Sequence, residues 1–152
     1  MLHHYGGNIV MDVKVRYLGG KKFEMTARGH RVLSDQPVDN NGADSAMTPP
    51  ELFLSALGAC AAYYAAEYLQ ARALPADELD IRISGVKGDK PVRIVSLTVD
   101  VVLPGLTERH RDGVLKAVNL CLLKHTLQVP PQIDVRVLTA SPVAEQEPAP
   151  VL

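Results

Sequence analysis

"MTPPELFLSALGACAAYYAAEYL", Met47 to Leu69, is the stretch on which the fold turns. Thr48 offers a capping hydroxyl. Pro49 suits the first helical position, where a missing N–H is no loss, and Glu51 completes a Thr-x-x-Glu capping box. The pattern predicts one helix from about Thr48 to Leu74, with Pro75 marking the exit. Small side chains crowd it (Ser55, Gly58, Ala59, Ala62, Ala66), so a second helix can come close. Cys60 lies inside this run, on a face with Phe53, Leu57, Tyr64 and Glu67. It is either a small apolar residue packed in a core or a thiol placed to react.

Working outward, "MDVKVRYLGG" alternates Val13, Val15 and Tyr17 against Lys14 and Arg16, the period of a half-buried strand ending in a Gly-Gly turn. "KKFEMTARGHRVLSD" resumes the alternation with Phe23, Met25 and Ala27, which predicts a hairpin; residues 36–46 form a polar loop. Beyond the helix, "LDIRISGVKG" and "VRIVSLTVDVVLP" read as two strands around an Asp89-Lys90-Pro91 turn, with Val95, Leu97, Val99 and Val101 on one face. Thr107 starts a second helix that runs to about Leu127 and carries Cys121, and "QIDVRVL" reads as a last strand. The order β-β-α-β-β-α-β segregates strands from helices and predicts an α+β fold rather than a doubly wound sheet.

One domain over residues 11–138 is expected, preceded by an extension (1–10) and followed by a Pro-, Ala- and Glu-rich tail (139–152) with the composition of disorder. The 47% hydrophobic and 22% charged content is that of a globular chain, and a net charge of −1 gives no attraction to polyanions. Trp is absent and aromatics are few, which disfavours a stacking platform for single-stranded nucleic acid. No apolar run is read as long enough to cross a membrane, and residues 1–10 lack the pattern of a signal peptide. The chain is therefore expected to work in the cytoplasm, away from membranes and nucleic acid. In that compartment its two cysteines, 61 positions apart, are free thiols or a pair that cycles.

A reactive cysteine must be a thiolate. Neither cysteine is expected in the first turn of its helix, so a cation has to activate it. Arg28 and Arg31 in "ARGHRVLSD" are the candidates; each is otherwise a solvated strand or turn residue. Glu51 can orient such an arginine, or serve only as the helix cap. It cannot reach Cys60 within its own helix, because nine residues rise ~13.5 Å and turn the two onto opposite faces. Cys121 and His125 share a face at i, i+4, yet two further zinc ligands are not evident, so no metal site is assigned. Tyr63, Tyr64 and Tyr68 read as helix-packing residues.

"TPPELFLSALGAC" and then "AVNLCLLKHTL" resemble the OsmC/Ohr family, the osmotically inducible and organic hydroperoxide resistance proteins. The resemblance runs from about Val13 to Leu138. It implies an intertwined homodimer with two cysteine-bearing helices at its centre and an active site at each subunit interface. It also implies cofactor-free reduction of organic hydroperoxides, with Cys60 as peroxidatic and Cys121 as resolving thiol. An external dithiol would reset the pair, and an arginine and a glutamate, here Arg28 or Arg31 with Glu51, would hold the thiolate. An apolar lining such as Phe53, Leu57 and Val118 would favour bulky peroxides. Three positions differ from the pattern of the best-characterised members. The glutamate falls one residue late, with Pro50 in its place; Ala27 stands where the turn arginine would be; and Leu122 rather than proline follows Cys121. The sequence is closer to a less-characterised OsmC-like subgroup. The displaced glutamate and the missing turn arginine favour an alternative: a non-catalytic dimer of the same fold that binds an apolar or thiol-bearing small molecule.

Overall fold

Helix α1 spans Pro49–Gln70, and its N-terminus is built as its residues dictate. Glu51 N donates to Thr48 Oγ1 at 3.4 Å, while one Glu51 carboxylate oxygen accepts from Thr48 N at 2.7 Å and from Thr48 Oγ1 at 2.8 Å. The computed structural model describes residues 3–5 and 8–139. The helix ends four residues sooner than expected. Ala73 adopts a left-handed φ of 52°, Leu74 N donates to Leu69 O at 3.0 Å, and Ala73 N donates to Gln70 O at 3.0 Å. This is a Schellman ending, with alanine where glycine is usual. Leu74 folds back onto the core cluster that contains Leu69, and that apolar contact offsets the left-handed alanine.

The buried stripe of α1 is Leu57, Gly58, Ala61, Ala65 and Leu69. It packs on strand β6 (Asp80–Asp89) and on helix α2 (Glu108–Val118). Ala61, Ala65 and Leu69 meet Val114 and Val118 of α2 to form the core, flanked by Ile81, Val99 and Val101. The small residues do what small residues permit. A Cβ on Gly58 would stand 3.1 Å from Ile83 Cγ1, and one on Gly113 of α2 would stand 2.0 Å from the Tyr68 hydroxyl. With 22 residues and a mean hydropathy of 1.3 over its best window, α1 does meet the length and hydropathy of a membrane span, which corrects the sequence expectation. Here one stripe of it, with Ala61, Ala65 and Leu69, contributes to the core.

β6 pairs antiparallel with β7 (Val92–Val102). The alternation expected for β7 breaks at a bulge, where Val86 pairs with Ser96 but Lys87 pairs with Ile94. The extra residue flips the pattern. Ile94 packs inward with Leu97 near Gly85, and Val95 turns outward over Gly88. Upstream, the stretch expected as a single return strand is two, β4 (Lys22–Ala27) and β5 (His30–Ser34), which with β3 (Lys14–Gly19) make a three-stranded antiparallel sheet. Arg28 (φ 49°) and Gly29 (φ 85°) form the two-residue turn between β4 and β5, both left-handed as a type I′ hairpin requires. In the N-terminal extension, β1 (His3–Tyr5) pairs with β2 (Asn8–Val10).

The loop into α1 is tied down by one carboxylate. Asp35 is buried and accepts from Gln36 N at 2.9 Å, Ala43 N at 3.2 Å, Ser45 N at 3.1 Å and Ser45 Oγ at 2.7 Å.

Two expectations at the C-terminal end are corrected. The second helix is not continuous: α2 stops at Val118, and α3 (Leu122–Gln128) restarts after Cys121, whose backbone is extended at φ −54°, ψ 123°. No glycine or proline marks the break, so the helical spacing of Val114, Val118 and Cys121 ran straight through it in sequence. Residues 132–138 form no strand and pair with none among the described residues, with Ile133, Val135 and Val137 81%, 87% and 90% exposed. The tail expected over 139–152 lies, from residue 140, outside the described residues. The molecule is α+β, with antiparallel sheets and three α-helices among the described residues.

Candidate active site

The two cysteines come together through α3. Cys60 sits on the flank of α1's buried stripe and is half-buried, whereas Cys121 is 1% exposed at the joint between α2 and α3. α3 packs against α1, and both sulfurs are free thiols. Burial, first, pushes the Cys121 thiol above its ordinary pKa; the hydrogen-bonding contact with the Cys60 side chain adds to this, as does the charge of Cys60. The backbone N–H groups of Lys124 and Leu123, in the first turn of α3, pull the other way without prevailing. Cys121 therefore keeps its proton at neutral pH. It also occupies the N-cap position of α3, which corrects the expectation that it lies mid-helix.

The remaining predicted residues are not gathered at the sulfurs within the single chain. Glu51 is held in the capping box, and its two hydrogen bonds from Thr48, the backbone one first, lower its pKa. Arg31 bonds Glu24 at 3.1 Å, and Arg16 bonds the other oxygen of the same carboxylate at 3.0 Å. Glu24 thus clamps two arginines across the β3–β4–β5 sheet, so Arg31 is a sheet residue here. Arg28, at the exposed hairpin tip, makes no ion pair among the described residues. The extensive contacts of its sheet are internal.

Leu57 and Val118 line a pocket of about 250 Å³ that reaches Cys121, but Phe53 does not. Lys124 and Leu127 also line it, and sequence reading did not single them out; Lys124 at i+3 from Cys121 was the available signal. Tyr68 packs as expected, its hydroxyl 3.2 Å from His110 Nδ1 and its ring under the Arg72 guanidinium at 3.8 Å, while Tyr63 is exposed. Among the described residues no group of three His, Cys, Asp or Glu side chains converges near Cys121 and His125.

Residues 42–136 match the family model for OsmC-like protein. The chain belongs to the OsmC-like family. No curated protein matches it. Among solved structures it is similar to an osmotic stress induced and detoxification response protein from Psychrobacter arcticus, with a TM-score of 0.71 and 17% identity over 82% of this chain and 91% of that one. It is also similar to the organic hydroperoxide resistance protein OsmC from Legionella pneumophila (TM-score 0.59, 14% identity, 78% and 89% covered). A third is the organic hydroperoxide resistance protein OhrB of Bacillus subtilis (TM-score 0.54, 17% identity, 78% and 90% covered). At these identities the likeness is one of fold. In this chain the fold sets Cys60 of α1 beside Cys121 of the α2–α3 joint.

Proposed function

We propose that the protein is a thiol-dependent reductase of organic hydroperoxides in which Cys60 is the peroxidatic and Cys121 the resolving thiol. Family membership supports a stress-response, peroxide-related role. The observation that carries the finer reading is the unequal pair: two neighbouring thiols, one half-buried, the other buried, with that burial raising its pKa. In the first step the Cys60 thiolate attacks the O–O bond of the hydroperoxide. It becomes a sulfenic acid, and the alkoxide takes a proton and leaves as the alcohol. In the second, Cys121 attacks the Cys60 sulfur and its proton departs with the hydroxide as water, leaving a disulfide. An external dithiol in a reducing compartment such as the cytoplasm restores both thiols.

A mid-helix cysteine has no helix N-terminus to hold it as thiolate, so a cation must come from elsewhere. Arg28, at a hairpin tip and in no ion pair among the described residues, is better suited than Arg31. A second copy of the chain supplies the geometry in this reading. The sheet carrying Arg28 shows Val15, Tyr17 and Val32 to solvent, and residues 132–138, alternating in apolar residues, pair with no strand among the described residues. An intertwined homodimer would cover both and carry Arg28 to a cysteine pair.

Replacing Cys60 with Ser abolishes turnover of cumene hydroperoxide with a dithiol reductant. A wild-type protein inert toward cumene and tert-butyl hydroperoxides with every dithiol tried refutes the reading. One observation favours the non-catalytic alternative: the Glu51 carboxylate is occupied by Thr48. On that reading mild peroxide leaves Cys60 and Cys121 as thiols, and mass spectrometry shows no loss of two hydrogens.

A further inference from the structure

The polar loop over residues 36–46 contains the dipeptide Asn41-Gly42, which the cysteine chemistry does not use. Its reactivity is intrinsic. An asparagine side-chain amide followed by glycine is open to attack by the glycine's own backbone nitrogen, because the second residue has no side chain to hinder the approach. Asn41 is exposed, at φ 59° and ψ 26°, and closes a 3-10 turn over Val38–Asn40. At this ψ the Gly42 nitrogen is turned nearly opposite to the Asn41 side chain, so the two cannot meet. The Gly42 N–H is also engaged, donating to Pro37 O at 3.0 Å. Gly42 lies so close to Gln36 that a Cβ there would collide with the Gln36 carbonyl. Just beyond, Ala43 N, Ser45 N and Ser45 Oγ donate to the buried Asp35 carboxylate. A reactive dipeptide is thus held in an unreactive form by a loop that Asp35 keeps shut.

We propose that Asn41 is a deamidation site gated by this loop, and that its isoaspartyl product holds the loop open. The inference does not depend on the cysteine pair.

The reaction balances with water alone. When the loop opens, the Gly42 nitrogen bonds to Asn41 Cγ and the Cγ–Nδ2 bond breaks. The Gly42 proton leaves with Nδ2 as ammonia, and a five-membered succinimide remains. Water then opens the ring at one of its two carbonyls. Breaking the Cγ–N bond gives aspartate. Breaking the backbone C–N bond gives isoaspartate, whose main chain runs through Cβ and is one atom longer.

The two products differ in what the loop can do with them. Aspartate accepts a left-handed φ as asparagine does, so the loop recloses. In isoaspartate the added atom falls between two fixed donors, Asn41 N to Val38 O at 3.1 Å and Gly42 N to Pro37 O at 3.0 Å. Both bonds cannot be remade, and the close approach of Gly42 to Gln36 leaves no room for slack. Ala43 and Ser45 then lose Asp35, and the release reaches the segment that leads into the Thr48 cap of α1.

The test incubates the full chain at physiological pH and temperature and follows Asn41 by peptide mass spectrometry. Isoaspartate is counted by methyl transfer from S-adenosylmethionine with an isoaspartyl methyltransferase. Asn41 deamidates at least about tenfold more slowly in the folded protein than in the urea-unfolded chain, because only the opened fraction reacts. Ser45→Ala and Asp35→Asn, which weaken the anchor, each raise the folded rate about threefold or more. Gly113→Ala, which disturbs the packing of α1 on α2 instead of this loop, leaves the rate near wild type. Hydrogen exchange finds the Ala43 and Ser45 amides protected in Asn41→Asp and unprotected in the isolated isoaspartyl form. Equal folded and unfolded rates overturn the gate. So do anchor variants without effect, or a Gly113→Ala rate raised as much as that of Ser45→Ala, which would make global unfolding the route. Protected amides in the isoaspartyl form overturn the open product.

Discussion

Gly113→Ala sets two physical effects against each other with opposite signs. Gly113 lies mid-way along α2, where alanine is favoured over glycine by about 1 kcal/mol of helix propensity. Propensity alone therefore predicts a stabilised protein. The structure predicts the reverse. The new methyl would stand 2.0 Å from the Tyr68 hydroxyl oxygen, 2.2 Å from Cζ and 2.5 Å from Cε2, so the ring must swing away. It then gives up its hydrogen bond to His110, worth about 1 kcal/mol, and its stacking with Arg72, worth about 0.5–1 kcal/mol. Disturbed packing between α1 and α2 adds about 1 kcal/mol, the low end for an overpacked site. Together these losses reach about 2.5–3 kcal/mol, and after the gain in propensity the variant is destabilised by about 1.5–2 kcal/mol. Urea denaturation measures this directly, with an unchanged m-value showing that stability alone has moved. The double variant Tyr68→Ala/Gly113→Ala closes the cycle: with the ring gone, alanine at 113 becomes stabilising relative to Tyr68→Ala alone. Stabilisation by Gly113→Ala in the otherwise unchanged protein would refute the reasoning, because it would mean the Tyr68 contact carries nothing.

Three further outcomes are expected. In Cys121→Ser, cumene hydroperoxide still oxidises Cys60, but the chemistry stops at the sulfenic acid, which dimedone traps as a mass adduct; a disulfide-linked or unmodified product contradicts the assigned roles. Asp35, its pKa lowered to about 2 chiefly by the Ser45 hydroxyl, contributes stability that is present above its ordinary value of 3.8 and lost as pH falls through about 2. Asp35→Asn is therefore less stable at neutral pH, and its deficit, read by urea denaturation, shrinks between about pH 4 and pH 2; a deficit independent of pH would contradict the assignment. Glu51→Gln keeps a side-chain acceptor for the cap. If Glu51 is only a cap, turnover and stability stay near wild type; if its charge works in the reaction, turnover falls at least tenfold while urea denaturation changes little.

The sequence by itself determined what depends on near neighbours and on period. The start of α1 was legible because Thr48, Pro49 and Glu51 form a closed set of local bonds. The strands β6 and β7 were legible because alternation follows from the pleat. The two cysteine segments, read together, also sufficed to reach the family. Tertiary structure decided the rest. The end of α1 rests on an alanine in a left-handed conformation, held there by Leu74 docking on the core, which no local preference of alanine announces. The bulge that turns Val95 outward comes from pairing with a partner strand. Arg31 is a sheet residue because Glu24, on a neighbouring strand, clamps it. Cys121 becomes a buried, protonated partner of Cys60 because an unmarked break between α2 and α3 lets the short helix pack on α1. Whether a cysteine is a core residue or half of a reactive pair depends on what lies across from it, and only the folded chain brings those atoms together.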